Sequence, residues 1–339
     1  MSPSLAVPGL FSRAEGVLPG LVFAFVVRAD GRADALSVAE PIGFALGEGE
    51  WLWLHFNLAD RRACHWLEMA PLPPAPRAFV AGLQEHQQLY AEADCVYGAI
   101  ADLIRDLDRA LERTAFLNVA LTSQFVVTGR RQSLQAVDAL QHALIAGRRV
   151  VRPGALLEAL VGEISAGVNR LLDELAQKLD RTEDTILIEA VADERRAIAQ
   201  MRRTCVNLHR KLAGLRTLFR HFDEALDDVE LPPAISIDTE RLAQRLDALD
   251  QEVVAVQERA RLIQDEIGSR LAEENTRNIN ILAVLSAVFL PATLIAGIFG
   301  MNTATLPLTG TSGGSWWAIG IIAAAAGFTW WLLRRSGIR

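Results

Sequence analysis

The hydrophobic pattern of the chain changes sharply near its C-terminal end. From residue 278 to residue 333 the sequence contains no Asp, Glu, Lys or Arg. Two apolar runs in this segment, residues 279–299 and 316–333, are long enough to cross a hydrocarbon core of about 30 Å, and residues 303–315 form a polar connection between them. We therefore predict two membrane-spanning helices. Tryptophans at both ends of the second run are assigned to anchoring at the membrane interface: Trp316, Trp317, Trp330 and Trp331.

A regular apolar repeat comes directly before the first of these runs. Apolar residues alternate in steps of four and three, which is the heptad spacing of a long helix with one buried seam. The positions are Leu242, Leu246, Leu249, Val253, Val256, Ala260, Ile263 and Ile267. Between Ile267 and Ile279, Gly268 is the only residue that weakens the prediction of a continuous helix. We predict a single helix over about residues 238–301, roughly 95 Å long at 1.5 Å per residue.

The seam changes phase as it approaches the membrane. An unbroken heptad would place Arg270 and Glu274 on the seam, where unpaired charges are costly. A four-residue stutter would avoid this. It would instead place Leu271, Asn275, Asn278 and Leu282 on the seam. We favour the stutter, which puts two Asn side chains where the helix enters the membrane.

The first half of the chain contains both strand-like and helix-like segments. Short apolar segments bounded by turn signals predict strands at residues 21–27, 51–58, 87–93, 96–103, 115–121 and 124–128. Helices are predicted at residues 61–69, 76–83 and 132–146. We expect an α/β domain with a central sheet, followed over residues 155–228 by long helices that break near residues 190–193 and end before Pro232 and Pro233.

These patterns divide the chain into six segments. We expect a cytoplasmic α/β domain at residues 1–152, long cytoplasmic helices at residues 153–237, and a stalk helix that continues into the first membrane helix at residues 238–302. An outer loop at residues 303–315, a second membrane helix at residues 316–334 and a cytoplasmic tail at residues 335–339 complete the organisation.

Charge is distributed unevenly along the chain. All 41 acidic residues precede residue 278, as do 31 of the 34 basic residues, so the part of the chain before residue 278 has a net charge of 31 − 41 = −10. An acidic surface argues against nucleic acid as a partner and fits a surface that concentrates cations, although ordinary solubility charge explains it as well. Arg270, Arg277 and the arginines at 334, 335 and 339 flank the two apolar runs. The positive-inside rule therefore places both chain ends in the cytoplasm.

Few features point to export or catalysis. The three cysteines, Cys64, Cys95 and Cys205, form no Cys-x-x-Cys pair, which fits a reducing compartment. The early apolar run at residues 21–27 is short and lacks a basic region before it, so we expect no signal peptide. No phosphate-binding glycine loop, Gly-x-Ser-x-Gly motif or His-Glu-x-x-His motif is present. We therefore expect neither an enzyme nor a bound cofactor.

The end of the first apolar run carries a recognisable motif. Residues 291–302 are Pro-Ala-Thr-Leu-Ile-Ala-Gly-Ile-Phe-Gly-Met-Asn, followed by a polar loop, a second helix and a basic tail. This arrangement resembles the CorA superfamily of divalent-cation transporters, whose pore helix ends in Gly-Met-Asn at its outer mouth. The resemblance is close over the last hundred residues. It implies a homopentamer in the bacterial inner membrane, surrounded by lipid; the chain supports that assembly only indirectly, through the apolar seam of the long helix.

One face of the expected pore helix approximates a seven-residue repeat. Its members are Ile279, Leu282, Ser286, Leu290, Thr293, Gly297 and Gly300. As pore-lining residues, Leu282 and Leu290 would form apolar rings that can close a pore by dewetting, and Ser286 and Thr293 would contribute hydroxyl groups. The alternative is that the small residues only allow close helix packing.

Asn302 is the strongest single candidate for a functional residue. A hard divalent ion such as Mg²⁺ sheds water reluctantly, so a selective mouth can bind the hydrated ion through neutral amide oxygens. The same position ends the helix, where unpaired carbonyls and the negative end of the helix dipole face an approaching cation. We assign Gly300, Met301 and Asn302 to the selectivity motif; a helix C-cap is the simpler alternative and is compatible with that role.

The loop after the motif bears on which ion is carried. Many superfamily members place acidic residues there, whereas residues 303–315 are wholly neutral. In this respect the chain is similar to the ZntB branch, which is associated with zinc. We therefore expect a Zn²⁺ transporter, with Mg²⁺, Co²⁺ and Ni²⁺ as further candidate ions. The alternatives are a Mg²⁺/Co²⁺ channel, a proton-coupled carrier and, from another class, a membrane-anchored sensor through which no ion passes.

Candidate metal ligands also lie before the membrane segment. Cys205 and His209 share one helix face, but two ligands do not complete a zinc site. The cluster Cys64, His65 and Glu68 has the same weakness. Both sets of residues are more often packed or solvated than bound to metal.

Acidic residues provide two further candidates. Asp265 corresponds in position to an acidic residue of the CorA gate region, so the resemblance implies a regulatory metal site there, with a solvated helix charge as the alternative. Four carboxylates near the expected helical tip are predicted to form a solvated acidic turn: Glu183, Asp184, Asp193 and Glu194.

Overall fold

The chain separates into two compact units, Met1–Leu262 and Ile263–Arg339. A computed structural model describes residues 17–40, 46–70, 72–92, 94–102, 115–186, 191–227, 229–300 and 314–335. In this described part, the first unit contains a β-sheet and most of the helices. The second contains the end of one long helix and one complete helix.

Seven strands and seven helices are present within the described residues. The strands are β1 (Leu21–Val27), β2 (Ala33–Leu36), β3 (Trp51–Asn57), β4 (Gln88–Glu92), β5 (Cys95–Asp102), β6 (Ala115–Leu121) and β7 (Phe125–Arg130). The helices are α1 (Arg61–Leu67), α2 (Pro74–Ala81), α3 (Gln135–Ile145), α4 (Pro153–Ile186), α5 (Val191–Leu226), α6 (Thr239–Gly300) and α7 (Gly314–Arg335). The predicted long helix is thus confirmed as α6, and its last predicted residue, Met301, lies outside the described residues.

The predicted strands and short helices are all found, with ends shifted by no more than about three residues. Ala93 and Leu103, the predicted ends of the strands found as β4 and β5, lie outside the described residues. Strand β2 was not predicted because Ala-Asp-Ala-Leu lacks the apolar alternation of a half-buried strand. The turn before it explains its presence: Gly31 has φ +83°, and its N–H donates to the carbonyl of Arg28 at 2.8 Å. This turn folds β2 back onto β1.

The sheet is mixed, with the strand order β2-β1-β3-β7-β6-β5-β4. Neighbouring strands run antiparallel except β3 and β7, which pair in parallel from Leu52 and Phe125 to Asn57 and Arg130. Strand β7 therefore joins the three N-terminal strands β2, β1 and β3 to the antiparallel strands β6, β5 and β4.

Strand β3 is buried at every position from Trp51 to Phe56 because both faces of the sheet are covered. Leu52 and Leu54 belong to an apolar cluster that also includes residues of α1 and α2. Trp53 points to the other face, where its ring centroid lies 4.8 Å from that of Phe23. A strand covered on both faces needs a nearly continuous apolar sequence, which explains the run Trp-Leu-Trp-Leu-His-Phe.

The seam of α6 is buried within a single chain over the first unit. Five of its predicted positions are at most 5% exposed: Leu242, Leu246, Leu249, Val253 and Ala260. Ion pairs join the same part of α6 to its neighbours, Arg259 to Asp180 of α4 at 2.6 Å and Asp247 to Arg216 of α5 at 2.8 Å. The seam up to residue 260 therefore packs on helices of its own chain. Our interpretation of this part as support for subunit assembly is wrong.

Candidate functional site

The apolar C-terminal helices have the composition of membrane segments. Within the described residues, one helix is long and apolar enough to cross a membrane, Thr239–Ile298, with an 18-residue window of mean hydropathy 2.4. Ile319–Leu332 forms a shorter apolar helix. The fold thus provides an apolar end to α6 and an apolar α7.

One face of this end of α6 is partly covered. Its half-buried positions form a stripe at helical spacing: Val284, Ala287, Val288, Pro291, Ala292 and Ile295. The half-buried positions of α7 form a matching stripe of mostly small residues: Ile322, Ala325, Ala326 and Thr329. Small residues let two helices approach closely. We infer that these stripes are the faces on which α6 and α7 pack.

The predicted pore face lies on the other side of α6. Ile279, Leu282 and Leu290 are 65%, 64% and 67% exposed, and the remaining predicted lining residues, Ser286, Thr293, Gly297 and Gly300, are exposed as well. At about 100° per residue, this face points roughly away from the stripe under α7. Helix α7 therefore leaves it uncovered. Whether these residues line a pore stays a prediction.

The hydroxyl of Thr293 is engaged inside the helix. Its Oγ1 donates to the carbonyl of Phe289 at 2.6 Å and lies 3.1 Å from that of Leu290. Bonds of this kind satisfy a threonine in an apolar helix and tend to bend it. Pro291, two residues earlier, lacks the N–H that would bond the carbonyl of Ala287. Thr293 can therefore accept hydrogen bonds from water on the exposed face, while its proton is held by the backbone.

The end of the selectivity motif is only partly described. Gly300 is the last residue of α6. Met301 and Asn302 lie outside the described residues, together with residues 303–313 of the predicted loop. The assignment of Asn302 to a hydrated ion stays a prediction.

The basic residues that flank the two apolar runs lie at the same end of the helix pair. Arg277 of α6 and Arg334 of α7 line one groove of about 1040 Å³, together with Trp330. The guanidinium carbon of Arg335 lies 5.4 Å from the ring centroid of Trp331. The positive-inside rule requires a helix hairpin with two cytoplasmic ends to carry its flanking basic residues at one end of the helix pair. These arginines meet that requirement.

Cys205 and His209 do not form a metal site. Cys205 is fully buried, and burial raises the pKa of its thiol to about 11, so the thiolate that binds zinc is disfavoured. The Nδ1 atom of His209 instead lies 2.7 Å from Oδ1 of Asp250. The two side chains thus serve packing and an interhelix contact.

The cluster at α1 is also engaged in ordinary contacts. The Sγ atom of Cys64 donates to the carbonyl of Leu58 at 3.5 Å, and the Nδ1 atom of exposed His65 lies 3.5 Å from Glu68. In the described part of the chain, no three His, Cys, Asp or Glu side chains come together as metal ligands. Asp265 is exposed on α6, and its proposed regulatory role stays a prediction.

The acidic tip differs from the predicted solvated turn. Glu183 of α4 accepts from Nη2 of Arg259 at 2.7 Å, and Asp180 lies 2.6 Å from the same atom. These carboxylates hold the pKa of the Arg259 guanidinium above its usual value. Glu183 therefore contributes to the contact between α4 and α6. Asp184 is exposed, as predicted, and Asp193 and Glu194 lie in the first turn of α5.

A buried polar group that the sequence does not single out lies in the sheet. Trp53 Nε1 donates to Oγ1 of Thr128 at 2.9 Å, and His55 Nδ1 lies 2.7 Å from the same oxygen. Burial, assisted by the positive charge of Arg130, lowers the pKa of His55 to about 3, so its ring is neutral. Because all three side chains are fully buried, this group is structural.

Known proteins resemble the chain over most of its length. Residues 48–335 match the family model described as CorA-like Mg²⁺ transporter protein. The chain is 25% identical over 311 residues to the zinc transport protein ZntB of Yersinia enterocolitica, which covers 89% of this chain and 92% of that protein.

Solved structures show the same fold. The full-length CmaX protein has a TM-score of 0.73 and 22% identity, covering 95% of this chain and 99% of that chain. The CorA magnesium transporter from Methanocaldococcus jannaschii has a TM-score of 0.66 and 19% identity, covering 94% and 99%. Since the family match extends from the sheet to the last helix, the chain belongs to the CorA-like family of divalent-cation transporters, whose members are transporters and not enzymes.

Proposed function

We propose that the chain assembles as a homopentamer in the inner membrane and conducts Zn²⁺ along an axial pore lined by the C-terminal part of α6. The observation that carries this proposal is the uncovered face of α6. Leu282 and Leu290 are exposed in one chain, because α7 packs on the opposite side of α6. A hairpin of two helices cannot enclose a water-filled path, so several copies must bring these faces together around a common axis.

The chemistry along this face suits ion passage. Apolar rings at Leu282 and Leu290 close the path when they approach one another, because a narrow apolar constriction loses its water. The exposed Ser286 lies between them on the sequence, and the oxygen of Thr293 accepts hydrogen bonds beyond them. At the outer mouth, Asn302 receives the hydrated ion. Changes in the tilt of α6 would widen or narrow the two rings.

Two observations favour zinc, and two favour magnesium. The relative from Yersinia enterocolitica is named for zinc transport, and residues 303–315 lack the acidic side chains that would bind a more strongly hydrated ion. The family model and the archaeal structure are named for magnesium. A Mg²⁺/Co²⁺ channel is therefore the second candidate.

Ion flux into proteoliposomes distinguishes the two. We expect saturable Zn²⁺ flux by the purified full-length protein, lower Co²⁺ and Ni²⁺ flux, and negligible Mg²⁺ flux. Mg²⁺ flux exceeding Zn²⁺ flux would favour the channel. Flux that follows an imposed pH gradient at constant membrane potential would indicate proton coupling.

A single substitution tests whether ions cross at all. Asn302→Ala should abolish flux while the oligomer mass is unchanged. The matched control is Asn280→Ala, because Asn280 is an asparagine of α6 that lines the groove beside α7. Equal flux in both variants and the wild type would contradict the assignment of Asn302, and no flux in any of them would favour the sensor.

A further inference from the structure

One feature of the first unit lies outside the proposed ion path. It is a cavity of about 420 Å³ at the start of α4 and α6, within the size range of small-molecule sites. Five arginines line it, two of them from α6: Arg148, Arg149, Arg152, Arg241 and Arg245. We call this the arginine pocket. Such a concentration of positive charge is unexpected in a chain with a net charge of −7.

Two of the five arginines are neutralised by the protein. Arg148 forms an ion pair with Glu163 at 2.6 Å, and Arg152 forms one with Glu158 at 2.8 Å. Arg152 also donates to the carbonyl of Ser236. These contacts hold the two side chains against α4 and the segment before α6.

The other three arginines have no acidic partner among the described residues. Arg149, Arg241 and Arg245 are exposed, and none of them forms an ion pair there. The two carboxylates that line the pocket are already used. Glu158 accepts from Arg152 and from the backbone N–H of Asp238, and Asp238 caps α6 by accepting from the N–H of Arg241 at 3.0 Å. Because a backbone N–H is neutral, Asp238 keeps its negative charge, and the pocket is left with a net charge of about +2.

The pocket brings these charges together from distant parts of the sequence. Arg149 belongs to the connection between α3 and α4, whereas Arg241 and Arg245 lie one turn apart on α6. Nη1 of Arg245 lies close to α4, about 3.4 Å from where a side chain at Gly162 would begin. The pocket also lies at the starts of α4 and α6, where helix dipoles favour negative charge. The floor is apolar, with Val150 and Leu242 almost fully buried.

We infer that the arginine pocket binds a soluble compound carrying a diphosphate group. Guanidinium groups bind phosphate oxygens in a bidentate manner, and a diphosphate carries about three negative charges near neutral pH. That charge offsets the positive excess of the pocket, and the three arginines without an acidic partner supply guanidinium donors for the phosphate oxygens. The concave shape favours a small anion over an extended partner surface. This inference is independent of the proposed ion selectivity.

Calorimetric titration of the detergent-purified, full-length protein with sodium pyrophosphate, in metal-free buffer, tests this inference. We expect saturable binding at low salt that weakens when sodium chloride is raised, because exposed charges are screened. R241Q/R245Q should weaken binding at least tenfold, and R149Q should weaken it severalfold. R149Q changes a residue outside the helices, so it remains informative if the double variant folds poorly.

The matched control is R210Q/R220Q, which removes two exposed arginines of α5 outside the pocket and should bind pyrophosphate like the wild type. ADP should bind and adenosine should not, because recognition is through phosphate.

Three outcomes would overturn the inference. The first is an absence of saturable pyrophosphate binding by the wild type, and the second is equal weakening in both double variants. The third combines two results: the wild type does not bind pyrophosphate, and the R241Q/R245Q oligomer dissociates. Together they would make the pocket a contact between copies of the chain.

Discussion

The Nδ1 atom of His209 lies 2.7 Å from Oδ1 of Asp250 and so links α5 to α6. Asp250 is only 8% exposed, and Nη1 of Arg216 lies 3.9 Å from its other oxygen and 2.8 Å from Asp247. A nearly buried carboxylate needs such partners, since an unpaired charge there is costly. This polar contact therefore fixes which face of α6 packs on α5.

Replacing Asp250 should destabilise the first unit. We expect Asp250→Ala to lower the free energy of unfolding by about 1–3 kcal/mol, because His209 and Arg216 lose their nearly buried carboxylate partner. Denaturant unfolding followed by circular dichroism measures the change. The control is Arg259→Gln, which breaks exposed ion pairs and should cost less than about 1 kcal/mol. Equal losses in the two variants would contradict a special role for Asp250.

The buried imidazole of His55 should make stability depend on pH. Burial lowers the pKa of His55 to about 3, below its ordinary value of 6.5. Between these values the unfolded chain binds a proton that the folded chain does not, so unfolding is favoured as the pH falls. We expect this contribution to be fully present above pH 6.5 and to be lost by up to about 1.4 kcal/mol per pH unit below it.

The variant His55→Gln isolates this effect. Its stability at pH 7 should be lower than that of the wild type, because Gln replaces a packed ring beside Phe23. Between pH 6.5 and pH 4.5, however, its unfolding free energy should fall less steeply. Parallel pH profiles for the two proteins would show that His55 is not the group responsible.

The two sides of α6 should respond differently to the loss of an apolar side chain. Leu290→Ala should raise resting Zn²⁺ flux severalfold, because a smaller ring is easier to wet. Ile281→Ala, on the side that lines the groove with Trp330, should leave flux unchanged. Flux through proteoliposomes, normalised to protein content, makes the comparison. A larger increase in flux for Ile281→Ala than for Leu290→Ala would contradict the assignment of the pore to the face that carries Leu290.

The three thiols should differ in reactivity. Cys95 and Cys205 are fully buried, and burial raises the pKa of these thiols to about 12 and about 11. Cys64 is only partly buried. Titration of the native protein with an aromatic disulfide reagent should therefore label about one thiol per chain, and denaturation should release the others. Rapid labelling of a Cys64→Ser variant would contradict the burial of Cys95 and Cys205.

Local periodicity was sufficient to predict most elements of this fold. The short apolar segments at residues 21–27 and 115–121 predicted strands with the observed bounds, and the heptad repeat predicted the start of α6 to within a residue. The charge-free segment predicted the two apolar helices. These features depend on neighbours in the sequence, so the sequence alone specifies them.

Features that depend on distant partners were not predictable. The spacing of Leu242, Leu246 and Leu249 shows that one face of α6 is buried, but it does not reveal whether that face packs on α4 and α5 or on another copy. For the same reason His209 was grouped with Cys205 rather than with Asp250. The arginine pocket was missed because its parts lie far apart in the sequence.

The parallel pairing of β3 and β7 has a consequence for synthesis. After β3 leaves the ribosome, 67 residues must follow before β7 begins. At about 5–20 residues per second this takes roughly 3 to 13 seconds. During that interval one side of β3 has no strand beside it, and its sequence is among the most apolar in the first unit. The nascent chain therefore exposes an unpaired, aggregation-prone strand that a chaperone would recognise.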